Sequence, residues 1–169
     1  MHIPQTPPEQ LGHLKSVWDS HSPSWLKEHL DPRFFEFMEK LNNHPELATM
    51  YHCSGHIPGE ASAEPNSVAS YLVLASRGET TNRLMKMVET VMRRPDYIIR
   101  KTMREEIMGW EFEVSDTPVT PWYHGSPYLD MRGAPTLVLR FRKLITEDPT
   151  GNETVRIWNE LFDQHIFNI

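Results

Sequence analysis

The chain has 169 residues, near the usual size of one domain, and its 38% hydrophobic and 24% charged residues are typical of a globular protein. Its formal net charge of -6 argues against tight non-specific binding to nucleic acid, although RNA could still bind through a local basic patch. The single cysteine excludes an internal disulfide framework, and the longest apolar run, residues 71–75, is far too short to cross a membrane. The N-terminus has neither a positive start nor an apolar stretch. We therefore expect a cytoplasmic protein without a membrane segment.

Residues 1–30 are predicted to be an N-terminal arm laid over one domain, residues 31–169. The arm is rich in proline, serine and histidine, and it contains a single short helical pattern. The apolar residues of that pattern are Leu11, Leu14, Val17 and Trp18. Trp18 and Trp25 predict docking through aromatic anchors, because such side chains are costly to leave in water.

The first strong element is a helix that is predicted to begin at Asp31 and Pro32, since aspartate is a good N-cap and proline is favoured in the first turn. One apolar stripe follows at helical spacing: Phe34, Phe37, Met38 and Leu41. The Asn-Asn-His-Pro segment at 42–45 ends the helix. A strand over 47–52 and a loop over 53–66 are expected next.

The middle of the chain alternates strands and helices. Residues 67–76 predict a central strand, because their apolar side chains lie on both faces. A helix is expected over 79–94, with acidic Glu79 in its first turn. Two further strands are expected over 97–103 and 110–115, and the second alternates apolar and polar residues.

The last third begins with an irregular segment, 116–135, whose length is typical of a functional loop. A strand over 136–144 should direct Leu137, Leu139 and Phe141 inward, and a final helix should follow the turn at 148–152. About five mainly antiparallel strands covered by helices are thus predicted, which makes a single-domain α+β sandwich.

The segment His52-Cys53-Ser54-Gly55-His56 concentrates more reactive side chains than any other stretch. Cys53 and Ser54 are candidate nucleophiles, His52 and His56 are candidate bases, and Gly55 permits a ligand to approach the backbone closely. A zinc site could begin here, but no second pair of ligands completes it, and no metal is expected. The alternative is a buried cysteine that behaves as a small apolar residue between surface histidines.

Two other groups could line a site. Trp122, Tyr123 and His124 could stack on a nucleobase or a similar flat ring, or Trp122 could simply pin the loop to the core. Arg140 and Arg142 could line a polar ligand cleft beside Glu111 and Glu113, or they could form cross-strand ion pairs on a solvated face. The best-known phosphate, dinucleotide, hydrolase and metalloprotease motifs are absent from the sequence.

The helix-to-loop segment 35–56 resembles the wybutosine-synthesis tRNA methyltransferase family. That family has a helix that ends in an Asn-x-His/Arg-Pro type of turn, then a strand, then a Ser-Cys-Ser/Ala-Gly-Arg loop, and the later order of elements up to about residue 145 is also similar. Cys53, Ser54 and Gly55 match the family's loop, whereas His52 stands at its serine and His56 at its arginine. The resemblance implies an α/β sandwich and S-adenosylmethionine-dependent methylation of a guanosine in tRNA.

Three hypotheses follow. The first is a pocket for a small-molecule or nucleotide-type ligand, made by residues 52–56 and the 116–135 loop. In its enzymatic form this pocket binds S-adenosylmethionine and methylates a nucleoside-like substrate, with Cys53 and Ser54 lining the cofactor and His56 or His124 as the base. The second is a non-catalytic binder that sequesters a nucleotide-derived ligand. The third is a protein-interaction module that works through the arm, and a homo-oligomer is compatible with all three.

Overall fold

A computed structural model describes residues 2–60, 63, 66–92, 97–101, 104–115 and 136–168 of the chain. Its helices are α1 (Pro8–Asp19), α2 (Pro23–His29), α3 (Phe35–Asn43), α4 (Glu79–Met92) and α5 (Asn152–Phe162), and a π-helical turn, Asp163–Phe167, continues α5. Its strands are β1 (Leu47–Cys53), β2 (Ser67–Ser76), β3 (Tyr97–Lys101), β4 (Arg104–Ser115) and β5 (Thr136–Leu144).

The strands form an antiparallel sheet in the order β1-β2-β5-β4-β3. Four of them, β1, β2, β5 and the second half of β4, make its continuous part, and β3 pairs only with the first half of β4. The changeover falls at Gly109, whose φ of 86° is a conformation that favours glycine. Met108 still pairs with β3, whereas Gly109 pairs with Arg142 of β5. With helices packed on this sheet, the predicted α+β class is confirmed.

One face of the sheet is covered by helices, and Trp158 of α5 lies at the centre of the contact. Its fully buried ring meets Trp110 of β4 edge-on, with the ring centroids 4.7 Å apart. Its indole N–H donates to the Ser70 hydroxyl group at 2.7 Å, and that hydroxyl donates to the Phe141 carbonyl at 2.9 Å. The polar edge of the largest core residue is therefore satisfied inside the core, as burial requires.

Helix α3 presents the predicted apolar stripe to the same core. Its first member, Phe34, directly precedes the helix, and all four members are buried: Phe34, Phe37, Met38 and Leu41. The helix begins at Phe35 rather than at Asp31, because residues 32–34 form a turn. Asp31 caps that turn by accepting from the Arg33 N–H at 3.0 Å, and its other carboxylate oxygen binds elsewhere.

The first 30 residues contribute two helices to the same hydrophobic cluster. Its members from this segment are Ile3, Leu11, Leu14, Val17, Trp18, Leu26 and Leu30. Helix α2 was not predicted, although Ser22 and Pro23 are a recognisable start: the Ser22 hydroxyl accepts from the Trp25 N–H at 3.2 Å. The division into an arm and a domain at residue 31 stays a prediction.

The predicted bounds of β2 and β5 agree with the structure, and β1 is one residue longer than predicted. Strand β4 begins at Arg104, before the predicted start at residue 110. The earlier start was not predicted, because the polar residues there show no apolar alternation. Within the described ranges, no helix is long and apolar enough to cross a membrane.

Candidate functional site

Asp31 holds the loop that follows β1 through hydrogen bonds to Ser54. One oxygen of its carboxylate accepts from the backbone N–H of Ser54 at 2.8 Å and also from the Ser54 hydroxyl group. Ser54 is completely buried. The structure thus gives this predicted ligand-binding residue an internal partner, and its side chain fixes the path of the loop.

Gly55 brings the loop against β2. It has a φ of 96°, and a Cβ atom at this position would overlap the Val68 side chain and lie 3.2 Å from the Ala69 carbonyl oxygen. Only glycine combines this conformation with this close approach. Gly55 therefore allows the loop to turn onto the sheet, and the close approach is to this chain's own backbone.

Arg33 anchors the loop from the other side. Its guanidinium group donates to the Gly55 carbonyl at 2.8 Å, to the Glu60 carboxylate at 2.8 Å and to the Thr150 carbonyl at 3.2 Å. Glu60 also accepts from the Ile57 N–H at 2.8 Å. These hydrogen bonds hold the pKa of Glu60 below its usual value, the one from Ile57 most strongly. Hydrogen bonds from Arg33 thus fix the position of the loop.

The strand registers place two rows of side chains on the face of the sheet opposite the core. In the first row, Cys53 pairs with Tyr71, Tyr71 with Arg140, and Arg140 with Glu111. This row follows directly from the antiparallel pairing of β1, β2, β5 and β4. It crosses the whole continuous part of the sheet.

The second row contains a large side chain between two small ones. Arg142 pairs with Ala69 on one side and with Gly109 on the other. The small neighbours leave a hollow above the sheet around the half-buried Arg142. The result is a cleft of about 500 Å³, which we call the outer cleft; its lining includes Cys53, His56, Tyr71, Glu111, Arg140 and Arg142.

Cys53 and His56 meet at the rim of the outer cleft. The Cys53 Sγ atom lies 3.6 Å from the His56 Nε2 atom, and His56 is exposed. Burial raises the pKa of the Cys53 thiol, which keeps it protonated at neutral pH. A protonated thiol is a poor nucleophile, so this arrangement favours a lining role for Cys53 and leaves His56 as the accessible base.

His52 lies on the opposite side of the sheet from Cys53. It pairs with Leu72 in the register, and its ring centroid is 6.5 Å from that of Phe34. Burial lowers the pKa of His52 to about 4, while the charge of Asp31 opposes this shift. His52 is therefore neutral near pH 7, and of the two histidines His56 lines the outer cleft and His52 does not.

A second cleft of about 400 Å³ lies on the other side of the loop. Cys53, Gly55 and His56 line it from the loop, and Asp31, Arg33 and His52 line it from below. Cys53 and His56 line both clefts, so residues 53–56 form a wall between them.

The two predicted arginines both line the outer cleft, and one of them also forms the expected ion pair. Arg140 lies 3.1 Å from the Glu113 carboxylate, and both side chains are about half exposed. Such an exposed pair contributes little to stability and can be exchanged for another anion at low cost. Both interpretations of this strand face are therefore compatible with the observed contacts.

Several residues of the site were not identified from the sequence. Asp31 was identified only as a helix cap, and Tyr71 only as a strand residue. The small residues Ala69 and Gly109 gave no signal, because their role depends on the register of three strands. Trp122, Tyr123 and His124 lie outside the described residues. Among the residues that are described, no group of three or more metal-binding side chains comes together.

Comparisons of this chain with protein-family models, with curated proteins and with solved structures found no match. The resemblance of residues 35–56 to the wybutosine-synthesis methyltransferases therefore stays a prediction that rests on the residues themselves.

Proposed function

We propose that the outer cleft binds a small anionic molecule with a flat ring, a nucleotide-type ligand. The observation that supports this best is the convergence of two segments that are far apart in the chain. The rim residues Cys53 and His56 and the strand residues Arg140 and Arg142 line one cleft. Its volume of about 500 Å³ lies within the range of about 300–1,000 Å³ that is usual for small-molecule sites.

The charge of the cleft favours an anion. Among the residues that the structure describes, two arginines and one glutamate line it, whereas the whole chain carries a net charge of -6. Guanidinium groups form strong hydrogen bonds with carboxylates and phosphates. The cleft thus offers a positive surface on an acidic protein.

Tyr71 supplies the surface for a ring. It is 39% exposed, which makes it the single large hydrophobic residue in the exposed class among those that the structure describes. Burial of the rest of its ring raises the pKa of its hydroxyl, so the phenol stays neutral. An aromatic face beside arginine side chains is an arrangement suited to stacking on a base.

Thermal unfolding with a panel of ligands tests this proposal. The panel contains S-adenosylmethionine, its demethylated product and the four common nucleoside 5′-monophosphates. A ligand at 100 times its Kd stabilises the fold by about 2.7 kcal/mol, which corresponds to a rise in Tm of about 5–10 °C for a chain of this size. Tyr71→Ala and Arg142→Gln should lower the rise by at least about half, whereas Arg156→Gln, on the exposed face of α5, should keep it. The proposal fails if no member of the panel raises the Tm.

Methylation of a nucleoside or an RNA-like substrate with S-adenosylmethionine is a second candidate, and the accessible His56 at the rim supports it. The lining fits this cofactor in chemical terms: Arg142 would pair with its carboxylate, Tyr71 would stack on its adenine ring and Glu111 would accept from its ribose hydroxyl groups. When bound, the cofactor supplies the methyl group, and His56 would take the proton that the substrate releases.

The methylation candidate is tested by the demethylated cofactor that accumulates with a nucleoside or an RNA substrate. His56→Ala should abolish this product without abolishing cofactor binding, and His13→Ala on the exposed face of α1 should change neither. Binding with every ligand recovered unchanged would support a sequestering protein instead.

A further inference from the structure

The outer cleft contains two arginines on one strand face. Arg140 and Arg142 are two residues apart on β5, so their Cα atoms are about 7 Å apart along the strand. Their long side chains rise from the same face and can reach one group between them. A carboxylate occupies one guanidinium fork, whereas a phosphate monoester has enough terminal oxygens for two.

The surroundings of the two arginines differ in a way that suits such a group. Arg142 is half-buried between Ala69 and Gly109, where water and salt screen its charge less than that of the exposed Arg140. Arg140 is held by Glu113 at 3.1 Å on the solvent-exposed face, and this weak contact can be given up to a ligand. Arg142 therefore contributes more to the binding of an anion, and Arg140 adds to it.

The position of Tyr71 sets the distance between the anion and the ring. Tyr71 pairs with Arg140, one row away from Arg142 in the same cleft. The row that contains Tyr71 and the row that contains Arg142 are neighbours on this face of the sheet. A sugar can therefore lie between a ring stacked on Tyr71 and an anion bound to Arg142. Glu111, at the end of the Tyr71 row, can accept from sugar hydroxyl groups.

We infer that the ligand of the outer cleft is a nucleoside 5′-monophosphate or a terminal nucleotide with the same phosphate monoester. Arg142 binds the phosphate, Arg140 assists it and Tyr71 stacks on the base. This inference depends on the proposed ligand-binding function, and it specifies the class of ligand that the cleft selects.

Isothermal titration calorimetry with matched pairs of ligands tests the inference on the full chain. Adenosine and guanosine are compared with their 5′-monophosphates, and S-adenosylmethionine is included as the ligand that has a carboxylate in place of the phosphate. We expect at least one monophosphate to bind about 10- to 100-fold more tightly than its nucleoside, the gain typical of charge-assisted hydrogen bonds. Inorganic phosphate alone should compete with the monophosphate and not with the nucleoside.

The arginine variants locate the phosphate. Arg142→Gln should remove most of the difference between the monophosphate and its nucleoside, and Arg140→Gln should remove a smaller part. Arg156→Gln, a matched arginine on α5 that is bound to Glu153 and Glu160, should leave the difference unchanged. If Arg142→Gln does not fold, titration of the paired ligands into the wild-type protein and into Arg140→Gln still tests the inference.

The outcomes separate this inference from the proposal on which it rests. Equal affinity for nucleoside and monophosphate, or tighter binding of S-adenosylmethionine than of any monophosphate, overturns the phosphate inference and leaves the cleft as a ligand site. A monophosphate preference that survives Arg142→Gln and Arg140→Gln also overturns it. If no ligand of the panel binds at all, the proposed function and this inference both fail.

Discussion

The Asp31 carboxylate accepts two hydrogen bonds from Ser54, one from its backbone N–H at 2.8 Å and one from its hydroxyl group. Asp31 lies just before α3, and Ser54 lies just after β1. The contact therefore ties the entrance of a helix to the loop that separates the two clefts. It explains why the loop has a fixed shape although it contains no regular structure.

Replacement of Asp31 should destabilise the protein more than replacement of Ser54. Asp31→Ala removes both bonds and leaves a buried N–H without its acceptor, so we expect a loss of about 2–4 kcal/mol in the free energy of unfolding. Ser54→Ala removes only the hydroxyl bond and should cost about 1 kcal/mol. Urea unfolding measures both, with Glu89→Ala on the exposed face of α4 as the control. Equal losses for the two variants would show that the backbone bond contributes nothing.

Gly55 and Gly59 provide a matched pair for the close approach to β2. Both have a positive φ, 96° and 91°, but a Cβ atom at Gly55 would meet Val68 and Ala69, whereas one at Gly59 would meet nothing within 4 Å. Gly59→Ala should therefore cost only the backbone strain, about 1 kcal/mol, and Gly55→Ala should cost a further 1–3 kcal/mol or so from overpacking. Chemical denaturation gives the difference between the two variants. A difference near zero would mean that the loop moves away from β2 without loss.

The sequence predicts those parts of this fold that depend on local patterns. The apolar stripe from Phe34 to Leu41 and the apolar run in β2 are visible in a single stretch of chain, and both elements form, although the helix begins at Phe35 rather than at Asp31. The start of β4 is not visible, because its pairing with β3 is a property of two segments together.

The candidate site is predictable only in part for the same reason. The reactive residues Cys53 and His56 and the alternation of Arg140 and Arg142 are local features, and they do come together in the outer cleft. The cleft also needs a hollow above the sheet, and this hollow depends on Ala69 and Gly109. In the sequence these are ordinary small residues, and the strand register alone shows that they lie beside Arg142. The position of His52 outside the outer cleft likewise follows from the alternation of β1, which directs His52 to the helix-covered face and Cys53 to the opposite face.

Lys15 provides a test of the boundary between the arm and the domain. Its Nζ atom donates to the carbonyls of Asn42, His44 and Leu47 at 2.7, 2.6 and 2.8 Å, which caps the end of α3 from α1. Lys15→Met should leave these carbonyls without a donor and lower the free energy of unfolding by about 2–3 kcal/mol.

Thermal and urea unfolding measure the effect of Lys15→Met, with Lys86→Met on the exposed face of α4 as the matched lysine control. A large effect would make α1 an integral part of the fold, and deletion of residues 1–30 should then unfold the chain. A negligible effect would favour a separate arm that is free to bind a partner.

His52 should make the protein sensitive to acid. Its pKa is lowered from 6.5 to about 4 in the folded state by burial, so the unfolded chain binds more protons than the folded one between these values. The stability that this difference supplies is complete above about pH 6.5 and is lost progressively as the pH falls towards 4, by up to about 3 kcal/mol. Urea unfolding from pH 4 to 8 should show this loss in the wild-type protein and a smaller one in His52→Gln. His13→Gln, an exposed histidine of α1, should keep the full pH dependence, and an unchanged slope in His52→Gln would show that another group carries it.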